Sequence, residues 1–274
     1  MTTETPEHLK CQVRDYWDAE SCGEIYAMGD EPGSRMAALR RARYDLEPYI
    51  PEFAGFEDGA GRDVLEIGVG MGCDHLRWAE SGPRSLTGVD LTDRAIEFTR
   101  DHLALQGLSS DLRQADAEHL PFDDASFDLV YSWGVLHHSP NTPRAIDEVL
   151  RMLRPGGVAR VMIYHRWSMT GYMLWARYGL LAGRPWRSLA AIYASHLESP
   201  GTKAYTRNQA RKMFGGFRDV TVEIQLNHGD LLQGEVGQRH RGPLLHMAKL
   251  LWPRWVIRKF FPRHGLYLMI TATK

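Results

Sequence analysis

The chain has 274 residues, 43% of them hydrophobic and 24% charged, an ordinary globular composition for one domain with insertions. A formal charge of -1 supplies no basic field for nucleic acid, and no apolar run approaches the ~18 residues of a membrane-spanning helix. Three cysteines, Cys11, Cys22 and Cys73, show no C-x-x-C spacing and read as free thiols. The first residues lack the basic and apolar regions of a signal peptide, so a cytoplasmic location is expected.

Residues 1 to about 60 precede the first strand. Val13, Tyr16 and Trp17 have helical spacing, and Gly23, Gly29 and Gly33 break the chain after them. Ser34 stands where it can cap a helix over Arg35 to Leu46, ending near Pro48 or Pro51. From Val64 strands and helices alternate. Strands are expected at Val64 to Ile67, Ser85 to Val89, Leu112 to Ala115, Phe127 to Ser132 and Val158 to Tyr164. Helices are expected after Gly72, after Thr92 or Asp93, and over about Pro143 to Leu153. That alternation predicts a parallel sheet with crossover helices. Residues 166–200 carry Trp167, Tyr172, Trp175, Tyr178 and Trp186 among Leu and Arg, one or two amphipathic helices. Thr206 can cap Arg207 to Phe214. Val220 to Leu226 and Leu266 to Thr273 read as strands, separated by an insertion, 228–264, far longer than a hairpin needs.

The stretch Val64-Leu65-Glu66-Ile67-Gly68-Val69-Gly70-Met71-Gly72 joins the first strand to the first crossover helix. Glycines without Cβ atoms let the backbone approach a ligand at the strand end, where open α/β sheets bind them. Asp90, ending the second strand, can accept both hydroxyl hydrogens of a ribose. The dinucleotide fingerprint G-x-G-x-x-G would place its last glycine where Cys73 stands. Glu66, just before the first glycine, would repel a pyrophosphate and favour an ammonium group. The turn therefore suits a nucleoside with a cationic amino-acid tail, and disfavours the alternative of an NAD-dependent oxidoreductase.

On these residues the chain resembles the class I S-adenosylmethionine-dependent methyltransferases, and among them the type 11 group. Asp116-Ala117-Glu118-His119-Leu120-Pro121-Phe122, Ser126-Phe127-Asp128-Leu129-Val130 and Arg154-Pro155-Gly156-Gly157 extend the resemblance over roughly residues 60 to 165. It implies a doubly wound, Rossmann-like α/β sheet of seven strands, ending in an antiparallel hairpin of strands six and seven. It divides the chain into an N-terminal helical lid, 1–60, and a methyltransferase domain, 61–274, with insertions at about 166–200 and 228–264. The implied cofactor is S-adenosylmethionine, held by Glu66, Gly68, Gly70, Asp90, Leu91, Asp116, Ala117 and Ser132, with Leu91 and Leu120 sandwiching the adenine. Tyr16, Trp17 and Tyr26 are the lid residues expected over the substrate.

Val135-Leu136-His137-His138 follows strand four, and in the resembling enzymes this loop faces the transferred methyl group. His137 or His138 is the candidate general base, with His165 at the end of strand five next. Trp133 is placed to wall the cavity, and Lys203 and Tyr205 to bind an anionic or sugar-like part of the substrate. No cluster has persuasive metal spacing, so no metal is expected. Leu244 to Phe261, with Lys249, Arg254, Arg258, Lys259 and Arg263 close by, is a greasy basic element suited to a lid, a dimer contact, a lipid surface or a greasy substrate. The expected reaction is methyl transfer to an oxygen, hydroxyl or carboxylate, of a small metabolite such as a secondary metabolite or sugar. The alternatives are C-methylation of a lipid or isoprenoid, N-methylation, and cofactor binding without catalysis. The near-neutral charge predicts no salt-sensitive binding to nucleic acid.

Overall fold

The computed structural model describes residues 5–233 and 252–274. A seven-stranded sheet runs in the order β3-β2-β1-β4-β5-β7-β6. Its strands are β1 (Asp63–Ile67), β2 (Ser85–Asp90), β3 (Asp111–Gln114), β4 (Phe127–Trp133), β5 (Leu153–Tyr164), β6 (Asp219–Gln225) and β7 (Tyr267–Thr273). The first five are mutually parallel, and β7 runs antiparallel between β5 and β6. This is the doubly wound, Rossmann-like sheet and terminal hairpin expected.

Alternation along the strands feeds two cores. Leu65, Ile67, Val130, Val161 and Ile163 point to one face, where α6 (Thr142–Met152) and α9 (Arg207–Met213) bring Ile146, Val149 and Phe214. Val64, Leu129 and Tyr131 point to the other. There they meet Trp78 of α4 (Cys73–Glu80), Ile50 and Ala54 of α3 (Ile50–Ala54), and Phe56. Glu66 shares this second face, so the strand that must be buried carries one acid toward the sheet's carboxyl edge.

Most expected boundaries hold to within a residue or two. Thr92 caps α5 (Asp93–Leu105) through its hydroxyl, and Thr206 and Gln209 form a reciprocal capping box on α9. Ser34 is a correction: α2 spans Pro32–Leu46 with Glu31 at its cap, and the Ser34 hydroxyl donates to the Glu31 carbonyl at 2.8 Å. Pro32 pre-sets the first helical φ and starts the helix ahead of the serine. The Arg154-to-Gly157 stretch is likewise drawn into β5, opposite a register shift between Phe127 and Leu129.

Helices from both ends of the chain cover the sheet's carboxyl edge. α1 (Pro6–Ala19) is pinned at its C-terminus, where Arg94 donates to the Asp18 carbonyl at 3.0 Å and pairs with Glu24. The first insertion folds as α7 (Met169–Trp175), continued by a π-turn over Ala176–Leu180, and α8 (Leu189–His196). The second contributes Asp230, fully buried, which accepts from Thr170 N at 2.9 Å, Asn227 N at 3.1 Å and Leu266 N at 2.7 Å. One carboxyl thus ties both insertions to β7. Of Leu244 to Phe261, residues up to 251 lie outside the described part, and α10 (Arg254–Phe260) supplies the rest.

Candidate active site and cofactor cavity

A cavity of about 380 Å³ opens at the carboxyl ends of β1, β2, β4 and β5, where the strand order reverses around β1. The glycine turn forms its floor. Gly68, Gly70 and Gly72 have φ of 85°, 50° and 76°, conformations other residues rarely adopt. A Cβ on Gly68 would lie 2.1 Å from Val135, while one on Gly70 would meet nothing within 4 Å. Gly68 is therefore fixed by packing on the β4 loop, and Gly70 leaves room on the cavity side.

Asp90 braces this turn. Its Oδ2 accepts from Gly70 N at 3.1 Å, and its Oδ1 from Thr92 N at 3.0 Å and the Thr92 hydroxyl at 2.9 Å. The carboxylate is thus held by backbone and side-chain donors of the β2 end while still lining the cavity, where a ribose hydroxyl would meet it. Glu66 is nearly buried and its Oε2 lies 2.9 Å from His75 Nδ1. Burial, then the nearby Asp74 and Asp90 charges, push Glu66 well above the ordinary carboxyl range, and burial drives His75 down to about 3. The imidazole is therefore neutral.

Asp116 and Ala117 line the cavity beside Leu91. Lys10 of α1 reaches Asp116 at 2.7 Å and Glu118 at 2.9 Å. Burial acts to raise Asp116, but the Lys10 and backbone hydrogen bonds win and lower it. Leu120 does not line the cavity: it is buried in the sheet core, with its N–H on Glu148 at 2.9 Å. Ser132 is a second correction. Its fully buried hydroxyl donates to the Ile67 carbonyl at 3.0 Å, stitching β4 to β1 away from the cavity.

The far end is walled by Trp17, Trp133, Tyr164 and Tyr267, with Tyr16 and Tyr26 also lining. Tyr164 and Tyr267 stack at 6.0 Å, and Trp133 meets Tyr267 edge-on at 5.5 Å. Beneath them Arg43 bridges Asp74 at 2.6 Å and Glu47 at 2.8 Å, while Tyr131 donates to Asp74 at 2.9 Å and Tyr267 to Glu47 at 2.6 Å. His138 and Glu198 complete this end, His138 Nε2 standing 3.4 Å from Glu198 Oε2. Thr170 and His228 of the two insertions, with Asn227, also line the cavity.

Residues 65–161 match the family described as the methyltransferase domain. This stretch is a class I S-adenosylmethionine-dependent methyltransferase domain. Over 102 residues the chain is 43% identical to the probable phthiotriol/phenolphthiotriol dimycocerosates methyltransferase 2 of Mycobacterium ulcerans, covering 36% of this chain and 38% of that one. Over 100 residues it is 35% identical to the 27-O-demethylrifamycin SV methyltransferase of Amycolatopsis mediterranei, covering 36% and 37%. The chain thus spans well under half the length of these curated relatives. The solved S-adenosylmethionine-dependent methyltransferase of Mesorhizobium loti shares the fold, with a TM-score of 0.57 at 19% identity over 82% of this chain and 97% of that one.

The methyltransferase domain's cofactor is S-adenosylmethionine, and the cavity fits it. Glu66 beside the glycine turn feels the charges of both Asp74 and Asp90, so a cationic ligand there relieves their repulsion. Gly70 leaves room beside them, and Asp116 stands at the cover formed by α1.

Of the candidate bases, the cavity receives His138 alone. The loop forms a 3-10 turn, Leu136–His138, whose ~120° step sends neighbouring side chains to different faces. His137 points inward, fully buried, its ring 3.9 Å from that of Tyr164 and neither ring nitrogen hydrogen-bonded among the described residues. Burial first, then His138 and Lys203, keep it neutral. His165 is also buried away from the cavity, its Nδ1 3.0 Å from the Gly265 carbonyl. Lys203 and Tyr205 do not line the cavity either. The Lys203 ammonium donates to the Ser139 carbonyl at 2.8 Å, and Tyr205 N to the Tyr164 carbonyl at 2.8 Å. They fasten the Glu198 loop to the ends of β4 and β5. Lys10, Arg43, Glu47, Asp74 and Glu198 are cavity residues that sequence reasoning missed.

Proposed function

We propose that the protein transfers a methyl group from S-adenosylmethionine to a hydroxyl oxygen of a small metabolite, sugar-like or a secondary metabolite. The observation that carries this reading is His138, a histidine at the cavity wall beside Glu198 at the far end from the adenine carboxylate. Glu47 and Glu198 at that end disfavour a carboxylate acceptor by like-charge repulsion. The rifamycin relative, by its name, acts at an oxygen.

Bound S-adenosylmethionine supplies an electrophilic methyl group. The aromatic walls hold the acceptor in line and exclude water. His138 takes the hydroxyl proton as the oxygen attacks.

The test uses methyl-labelled S-adenosylmethionine with methyl glycosides, simple phenols and fatty acids as probes. Label is expected in base-stable methyl ethers. Label only in base-labile esters, or on carbon as in the alternative of lipid C-methylation, would remove the hydroxyl reading. A lipid contact through the 244–263 element rests on α10, which exposes Trp255 and Phe260 beside Arg258 and Lys259. Co-sedimentation with anionic vesicles is expected, and protein left wholly in the supernatant rejects it.

A further inference from the structure

The hydrogen bonds around His138 determine which nitrogen can act. Nδ1 lies 2.8 Å from the Ser199 hydroxyl and 3.2 Å from that of Thr202. The Thr202 hydroxyl spends its one hydrogen on the Ser199 carbonyl, at 2.6 Å. Toward His138 it can only accept, which favours a proton on Nδ1: a Ser199 hydroxyl turned to donate to a bare Nδ1 would leave that nitrogen lone pair to lone pair with Thr202, whereas an Nδ1–H is accepted by both oxygens. In a neutral ring Nε2 is then bare. It is buried, and no group among the described residues donates to it. Glu198 Oε2 stands 3.4 Å from it, an oxygen that already accepts the Tyr164 hydroxyl at 2.8 Å. Two lone-pair atoms therefore face each other at the cavity wall with no hydrogen between them. Leaving a buried acceptor unfilled is costly, and a ligand O–H is a group able to fill it.

We propose that Ser199, Thr202 and Glu198 are positioning residues of the methyl transfer, which make His138 Nε2 the proton-accepting atom. The two hydroxyls fix the Nδ1–H tautomer. Glu198 holds the imidazolium as it forms. The acceptor oxygen loses its proton to Nε2 and gains the methyl carbon, while the electron pair of the broken carbon–sulfur bond stays on sulfur. The loop that carries the three residues is anchored by Lys203 N on the His137 carbonyl at 3.1 Å, so tautomer and carboxylate are set by one segment. None of them falls in the stretch that matches the domain family, 65–161.

The proposal rests on the hydroxyl reading, but its test reads the ring without any acceptor. The full chain, labelled with 15N-histidine and saturated with S-adenosylhomocysteine, is examined by NMR, with His138 assigned by its loss in His138→Asn. A protonated Nδ1 and a bare Nε2 are expected. Ser199→Ala with Thr202→Val should give a mixture of tautomers. Glu198→Gln should donate its amide hydrogen to Nε2, move that signal toward the protonated range, and lower turnover of a hydroxyl probe by about 10²-fold. Glu198→Asp should keep the tautomer. Retained S-adenosylhomocysteine binding shows that each variant is folded. A bare Nδ1 in the native protein, or an unchanged tautomer in the double variant, overturns the proposal. His137, His138 and Glu198 also place ligating atoms within 4.8 Å of one another. Turnover lost to a chelator and restored by Zn²⁺, or His138 signals shifted by Zn²⁺ in the native protein but not in Glu198→Gln, would assign a metal site and overturn it as well.

Discussion

His138→Ala is expected to lower turnover of a hydroxyl acceptor by about 10²–10⁴-fold, or about 3–5 kcal/mol of barrier. S-adenosylhomocysteine affinity should stay within a factor of a few, because the contacts of His138 are with Ser199, Thr202 and Trp17 and not with Asp90 or the glycine turn that Asp90 holds. The ring also packs edge-on against Trp17 at 5.3 Å, so some acceptor affinity goes with it. A loss confined to KM would therefore assign His138 to binding rather than proton transfer. His137→Ala is the matched control. It removes a buried, neutral ring and should cost stability, read as a fall in Tm, without a comparable loss in kcat. Native turnover in His138→Ala would end the general-base assignment. His165 is no substitute, since it is held on Gly265 outside the cavity.

Asp90→Ala is expected to weaken S-adenosylhomocysteine binding by about 1.5–3 kcal/mol, roughly 10- to 150-fold. Two losses combine. The carboxylate no longer meets the ribose, and Gly70 N loses its acceptor, so the turn keeps only the Gly68 and Val69 hydrogen bonds to the Val89 carbonyl of β2. Asp90→Asn separates them: its amide oxygen can still accept one of the hydrogen bonds, so it should fall between the native protein and the alanine variant. Calorimetry giving equal dissociation constants for native and alanine forms would reject Asp90 as a cofactor contact.

Local pattern carried the sheet. Strands buried on both faces are apolar runs, and the glycine turn needs positive φ at Gly68, Gly70 and Gly72, so both leave marks that a single chain displays. Asp90 and Asp116 were legible for the same reason, standing at or just beyond strand ends. The acceptor end was not. Arg43 and Glu47 are an ordinary i, i+4 pair on a helix, and only the tertiary approach of Asp74 and Tyr267 makes them a cavity floor. Glu198 lies in a polar loop whose cations drew attention first, yet Lys203 turned out to fasten that loop. The histidine pair shows the limit most simply. The two rings lie side by side, yet only one lines the cavity, and which one depends on what Tyr164 and Ser199 offer from elsewhere.

One helix touches the cavity twice. α1 sets Lys10 on Asp116 and Trp17 against His138. A ligand at Asp116 and a ligand at His138 both adjoin α1, so ordering of the helix by one is ordering the other need not supply. The two affinities are then linked, and by thermodynamic reciprocity each ligand must tighten the other by the same factor.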